Sequence, residues 1–567
     1  MVDCGSGVRL ERAVRCRLRD GIALVSDHYY PAGVGPWPTL LMRQPYGRDI
    51  ASTVVYSHPV WFAQHGYHVV IQDVRGRGGS EGAFYPFRNE ASDGADTIAW
   101  LLRHAACNGL IGMYGFSYQG ATQFLAAAEQ PEGLTCIAPH MTAVDLYHGW
   151  FYHNGALRLT STLGWGIQML REDARRLSLR DASDALESAW NNIRAQSMDV
   201  PYGKHPAIAD PQLPGYVRDW MSHREAGKYW TDMDVSAKLA RIHVPALHIA
   251  GWFDTYLEGS IAGYVALRKD AGSDFARSNQ YLVAGPWVHI PWGDRVGEVD
   301  LGDAANFDTD RLLLKWFDHW LKDSGDFKDE PRVRYFALGA NTWRSAENWP
   351  TRVETALYLH SRGNANSRKG DGTLRSIAAE GDEPRDLFVY DPEVPVHAPG
   401  GPQAMSGAFD QAALEMGNNL LVYTSEPVVH EAEIIGQPHI VLYAATSAAN
   451  ADFTAKIVRV TKAGRAEFVS VGIARSSWIF REAGYSADTI QAWKFTLEPT
   501  AFVLSAGERL RLEIASSAFP LYDRNPSTDV SPQDADHWNW QRSTQQVAHS
   551  ANHPSALFLP FNGEPAW

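Results

Sequence analysis

The stretch "GMYGFSYQG", residues 112–120, carries the sharpest chemical signal in the chain. An apolar run enters Gly115-Phe116-Ser117-Tyr118-Gln119-Gly120, and a helix-forming run, "ATQFLAAAEQ", leaves it. A serine on such a strand–turn–helix elbow is presented as a nucleophile, with the next backbone N–H facing the oxyanion it generates. The usual spacing is G-x-S-x-G, but here Gln119 stands in the second glycine's place and Gly120 comes one residue late. Two readings of Ser117 stand on these residues alone: an activated nucleophile, or one more serine in a glycine-rich turn.

A serine nucleophile needs a base and an acid that orients it. With this elbow they follow in the order Ser, Asp or Glu, His, each after a strand. Asp254 closes "ALHIAGWFD" and His289 closes "YLVAGPWVH". An Asp after a strand is also a common helix cap, and most of the 21 histidines serve packing. Order and strand-end placement together favour the catalytic reading.

The elements that must position these residues are legible as an α/β pattern. Two alternating runs surround Asp20-Gly21 and predict a hairpin. The apolar runs 39–46, 67–74 and 110–115 predict buried strands, and helical stretches over 93–105 and 121–130 separate them. This alternation predicts a mainly parallel sheet covered on both faces. Residues 146–240 are charged, with apolar residues at helical spacing, and read as a helical insertion. Strand signals return at 244–254 and 279–289, followed by an amphipathic helix over 309–323. Beyond 350 the runs "ALYLHS", "LLVYTS", "HIVLYAAT", "DFTAKIVRV", "QAWKFTLEP" and "ERLRLEIASS" predict an all-β jelly roll. The segment 360–376 reads as an exposed polar loop. The expected organisation is 1–145 as the first part of the α/β core, 146–240 as the insertion, 241–350 as the second part, and 351–567 as the β-sandwich.

Several function classes are excluded or disfavoured. A chain of 567 residues exceeds a single core and predicts two or three domains. A formal charge of −14, from 65 acidic and 51 basic residues, argues against nucleic acid or an anionic membrane as partner. The four cysteines form no C-x-x-C pair, which predicts neither a disulfide framework nor a zinc site and points to a reducing compartment. The opening segment has no apolar signal core, so the expected location is the cytoplasm. "VRGRGGSEG" misses the dinucleotide-binding spacing, because Glu81 stands where the last glycine belongs, and it reads as a structural turn. No H-E-x-x-H is present, and His243 and His248 lie at a spacing that places them on opposite faces of a strand. No metal and no cofactor is expected.

"GFSYQG", "GWFD" and "GPWVH", with "RQPYGRD" (43–49) and "DVRGRGGSEG" (73–82), strongly resemble the cocaine-esterase and X-Pro dipeptidyl-peptidase superfamily of serine hydrolases. That family's elbow reads G-x-S-Y-x-G, so the shifted glycine is its own form. The resemblance extends over nearly the whole chain, and "DFTAK" (452–456) and "DRNPST" (523–528) are similar to C-terminal family segments. It implies an α/β-hydrolase core with a helical cap and a C-terminal jelly roll. It further implies Ser117 as nucleophile, His289 as general base then acid, and Asp254 as orienter. The implied oxyanion hole combines the Tyr118 amide with the Tyr46 phenol. The start of the cap faces the nucleophile in such enzymes, so Trp150, Phe151, Trp165, Trp252 and Tyr256 are candidate substrate-pocket residues for a bulky apolar acyl group.

The expected substrate is a small ester, with amide as the alternative bond. Rival readings are an amide or β-lactam side-chain acylase, an aminopeptidase with Glu258 or Asp145 holding the α-amino group, an acyltransferase, and a non-catalytic carbohydrate-binding protein. The sequence is compatible with a homo-oligomer but does not set the oligomeric state.

Overall fold

In the computed structural model, the two runs around Asp20-Gly21 pair as antiparallel strands, Arg9–Arg17 with Ala23–Tyr30. The structure describes all residues except 1, 5–6, 50–53, 326, 351–353, 402–405 and 563–566. Residue 351, where the sequence puts the start of the β-sandwich, lies outside the described residues.

The hairpin, with the short strand Val2–Asp3 paired outside it at the edge, begins an eleven-stranded sheet. Beyond it the strands run in the order His68–Asp73, Trp37–Gln44, Cys107–Phe116, Leu134–His140, Ala246–Phe253, Gln280–Val288, Val333–Ala337 and Thr342–Ala346. Neighbours from His68–Asp73 to Val333–Ala337 are parallel, and the last pair is antiparallel. His68–Asp73 and Ala246–Phe253 are buried at every position, as strands covered on both faces must be. The helices Glu90–Leu102, Tyr118–Ala128, Leu257–Asp270 and Thr309–Lys322 supply that cover.

Within 146–240 the longest helices are Leu159–Arg176 and Arg180–Asn191. Leu159, Leu163, Ile167, Leu170 and Ala174 recur at helical spacing and are all buried. Arg77, from "DVRGRGG", clamps this insertion to the core. Its guanidinium reaches both carboxylate oxygens of Asp173 at 3.1 and 2.9 Å, and Tyr216 donates to the same carboxylate at 2.7 Å.

The C-terminal half folds as a second eleven-stranded sheet with a short ribbon of Ala432–Gly436 and Thr500–Leu504. Its six strands expected from the sequence are present. Others, such as Ala466–Arg475 and Thr500–Leu504, are buried almost throughout and lack the alternation that marks a half-exposed strand. The segment 360–376 departs from the expected exposed loop. It contains the strand Thr373–Arg375, which joins Glu354–His360 to Leu421–Ser425. The Asp386 carboxylate holds it inward by accepting from Ser361 Oγ at 2.7 Å and Ala365 N at 2.9 Å.

"DFTAK" and "DRNPST" meet on one arginine. Asp452 and Asp523 both pair with the buried Arg475 guanidinium, and Asp523 also accepts from Leu157 N at 2.9 Å, at the entry to the long cap helix. The β domain therefore anchors the insertion as well as the core. Among the described residues, no helix is long and apolar enough to cross a membrane.

Candidate active site

Four chain segments leave the sheet at strand C-terminal ends and converge: Tyr46 after Trp37–Gln44, Ser117 after Cys107–Phe116, Asp254 after Ala246–Phe253, and His289 after Gln280–Val288. This is the end at which open α/β sheets place their ligands.

Ser117 adopts φ 61° and ψ −128°, a strained conformation for a residue with a side chain, directly before the helix Tyr118–Ala128. Its N–H is held by the carbonyls of His140 and Met141 at 2.9 and 3.2 Å. The shifted glycine has a packing cause. A Cβ on Gly120 would lie 2.6 Å from Thr142 Cγ2 and 3.1 Å from the His140 carbonyl, so the first helical turn must be bare at 120. Gln119 instead faces the turn and accepts from Phe116 N at 3.1 Å. As the first helical residue, Tyr118 has an amide with no acceptor inside the helix, while its phenol is tied to the buried Glu90 at 2.8 Å.

Asp254 is fully buried, and its carboxylate is shared. One oxygen accepts from Tyr256 N at 2.6 Å and the other pairs with His289 Nδ1. Nδ1 is the ring nitrogen committed to Asp254, which leaves Nε2 for other partners. His289 and Ser117 line one cavity of about 540 Å³.

Tyr46 is delivered by a loop built around Asp73. That carboxylate accepts from Arg48 N at 2.8 Å, Arg48 Nη1 at 2.6 Å and Gly79 N at 2.9 Å. Gly78, at φ 50°, would place a Cβ only 2.1 Å from the same carboxylate. "RQPYGRD" and "DVRGRGG" are thus two sides of one ion-paired turn, and the glycines serve that turn. The Tyr46 hydroxyl accepts from Trp165 Nε1 at 3.3 Å and reaches the Ser117 hydroxyl as a hydrogen-bond partner. Burial pushes the Tyr46 phenol up to about 12, against weaker lowering by those two bonds. It remains a donor across the neutral range.

The cavity places the candidate pocket residues unequally. Trp165 and Tyr256 line it. Trp150 does not: it lies behind Tyr256, with ring centroids 4.0 Å apart. Phe151 is also set back, packed on Trp220 and Trp230 at 4.7 and 5.0 Å. Trp252 points away altogether, donating to the Phe336 carbonyl at 2.7 Å within the core shared with the β domain. Gly251 pairs with Gly285 and Phe253 with Val288, so the extra residue lies on the neighbouring strand and Trp252 follows its own strand's alternation, on the same face as Ala250. The wall missed from the sequence includes Thr160, Gly164 and Gln168, spaced at i, i+4 and i+8 along the cap helix, with Trp190 and Ile193 beyond. That stripe of small and polar residues, one position round from the apolar face, was the available signal. Ser406 adds a contribution from the C-terminal half.

Among the described residues lining the cavity none is Asp, Glu, Lys or Arg. Glu258 is engaged by Arg158 at 3.1 Å and Asp145 by His148 at 2.8 Å, both outside it. No group of three or more His, Cys, Asp or Glu among the described residues could hold a metal ion.

The family model for X-Pro dipeptidyl-peptidase (S15 family) matches residues 20–291, and that for the X-Pro dipeptidyl-peptidase C-terminal non-catalytic domain matches 325–557. Cocaine esterase of Rhodococcus sp. (strain MB1 Bresler) is 32% identical over 96% of this chain and 97% of its own length. The chain belongs to this hydrolase superfamily. An α-amino acid ester hydrolase is 25% identical, with a TM-score of 0.82 over 99% of this chain and 98% of the other. An aminopeptidase from the marine sediment archaeon Thaumarchaeota archaeon is 25% identical, with a TM-score of 0.81 over 98% and 97% of the two chains. The α/β-hydrolase fold and the sheet-rich C-terminal domain are therefore those of the superfamily.

Proposed function

We propose that the protein hydrolyses carboxylic esters through an acyl-enzyme on Ser117, with His289 as general base then acid and Asp254 orienting it. The observation that carries this reading is the cavity shared by Ser117, on its strained elbow, and a histidine whose far nitrogen is bonded to a buried carboxylate. His289 Nε2 takes the serine proton as Oγ attacks the ester carbon, and returns it to the departing alcohol. The oxyanion is received by the Tyr118 amide and the Tyr46 phenol. Water then repeats the sequence on the acyl-enzyme.

The uncharged lining favours a neutral substrate. An aminopeptidase or α-amino ester hydrolase must hold an ammonium group, and the two carboxylates considered for that role are paired elsewhere. Trp165, Trp190 and Ile193 supply an apolar wall suited to a bulky acyl or alcohol group, while Gln168, Thr160 and Ser161 can address its polar atoms.

Intact-mass analysis after treatment with a fluorophosphonate tests the nucleophile. Wild type is expected to gain one stoichiometric adduct and Ser117→Ala none, with a burst of p-nitrophenol from a p-nitrophenyl ester in wild type alone. Folded wild type that neither labels nor bursts would refute the reading.

A further inference from the structure

We propose that Tyr256 is a further catalytic residue, which donates its phenolic hydrogen bond to the oxygen of the departing alcohol during acylation. The inference rests on Ser117 being the nucleophile.

The Ser117 hydroxyl is reached by two phenols. One is Tyr46; the other is Tyr256, two residues beyond Asp254, whose hydroxyl is also a hydrogen-bond partner of Ser117. The two belong to different parts of the site. Tyr46 sits on the Asp73-centred loop with Trp165 donating to its oxygen. Tyr256 belongs to the histidine and its acid. Its N–H occupies the Asp254 oxygen that His289 leaves free, and its ring stands edge-on to the imidazole at 5.2 Å and 81°. Trp150 backs it at 4.0 Å, and only 5% of the residue is exposed, so the ring has one position.

That division assigns the jobs. The oxyanion must lie beside the Tyr118 amide, at the start of the helix. The leaving oxygen must lie against His289 Nε2, because that nitrogen protonates it. The phenol packed on the imidazole is the one placed to meet the leaving oxygen. As the bond from Ser117 Oγ to the carbonyl carbon forms, the serine proton moves to Nε2. As the bond from that carbon to the alcohol oxygen breaks, Nε2 delivers the same proton to it. Tyr256 keeps its own proton throughout and lends only a hydrogen bond to an oxygen that is gaining negative charge. Burial holds the phenol well above its ordinary value, with the nearby Tyr46 and Asp254 adding to the rise, so it stays a neutral donor. In the free enzyme the same hydroxyl is hydrogen-bonded to the Ser117 hydroxyl.

The test compares kcat/KM for p-nitrophenyl and ethyl 3-phenylpropanoate, which share an acyl group and differ in how much help the leaving oxygen needs. A hydrogen bond to a charged atom contributes roughly 1.5–3 kcal/mol, which is about 10- to 100-fold in rate. Tyr256→Phe should lose that factor on the ethyl ester and less than about 3-fold on the p-nitrophenyl ester. Tyr46→Phe should slow both esters alike, because both pass through the same oxyanion. Equal losses on both esters in Tyr256→Phe, or no loss on either, would overturn the proposal. Fluorophosphonate labelling separates its failure from that of the parent reading. Wild type that does not label removes both. Wild type and Tyr256→Phe that both label, with leaving-group dependence unchanged, remove the role of Tyr256 alone.

Discussion

At Tyr46 a single hydroxyl both accepts and donates. Trp165 Nε1 donates to its oxygen, which polarises the O–H and leaves its proton free for Ser117 or an oxyanion beside it. Removing one oxyanion donor typically costs about 10²–10³ in kcat. Tyr46→Phe is therefore expected to lower kcat by about that factor while changing KM by less than about 3-fold, measured on a p-nitrophenyl ester. An unchanged kcat would move the oxyanion away from Tyr46. The candidate serine, acid and base could be picked out of the sequence because the order Ser, Asp, His and a place at the end of a strand are both legible there. The shifted glycine could be recognised but not explained, since its cause, the Thr142 side chain against Gly120, lies on a different segment. Tyr256 could be read as a candidate pocket residue beside Asp254, and it does line the cavity. Its hold on Ser117 depends on the course of the turn after the strand, which spacing does not encode.

The element that closes the site is the helix Leu159–Arg176, and one ion pair ties it to the sheet. Arg77 is fully buried, so its bidentate bond to Asp173 has little competition from water. Breaking one side of a buried pair leaves an uncompensated charge and costs about 3–5 kcal/mol. Asp173→Ala should lower the denaturation midpoint accordingly and raise KM for the ester, because Thr160, Gly164 and Gln168 ride on that helix. A variant with lowered stability and unchanged KM would show that the cap wall holds its place without the clamp. The apolar runs of the sheet and the amphipathic stripe of this helix were legible because burial repeats at the period of the element. The clamp was not, because "DVRGRGG" and "REDARR" carry no sign in sequence that they meet. Trp252 was misplaced because nearness in sequence to Asp254 does not say which face of the strand a side chain takes, and its ring turns to the Phe336 carbonyl.

Across the whole molecule, the C-terminal domain takes part in the site's foundation. Ser406 reaches the cavity, and Glu498 enters the interior between core and cap to meet Arg158 at 2.8 Å. The same guanidinium holds Glu258, in the first turn of the helix that follows Tyr256, so three parts of the chain close on one buried charge. Burial raises the Glu498 carboxyl to about 7, from an ordinary value of 4.5, against the lowering effect of Arg158. A folded-state pKa above the unfolded one means that the folded chain keeps a proton the unfolded chain releases. That contribution is fully present below about 4.5 and is lost as pH rises through about 7. Glu498→Gln has no proton to release. The melting temperature of wild type relative to Glu498→Gln should therefore fall from about pH 5 to about pH 8 and level off above that. A difference that stays constant over this range would mean that Arg158 keeps Glu498 ionised throughout. A difference that rises with pH would mean that the ion pair outweighs burial, and that the charged form secures the β domain to the catalytic core.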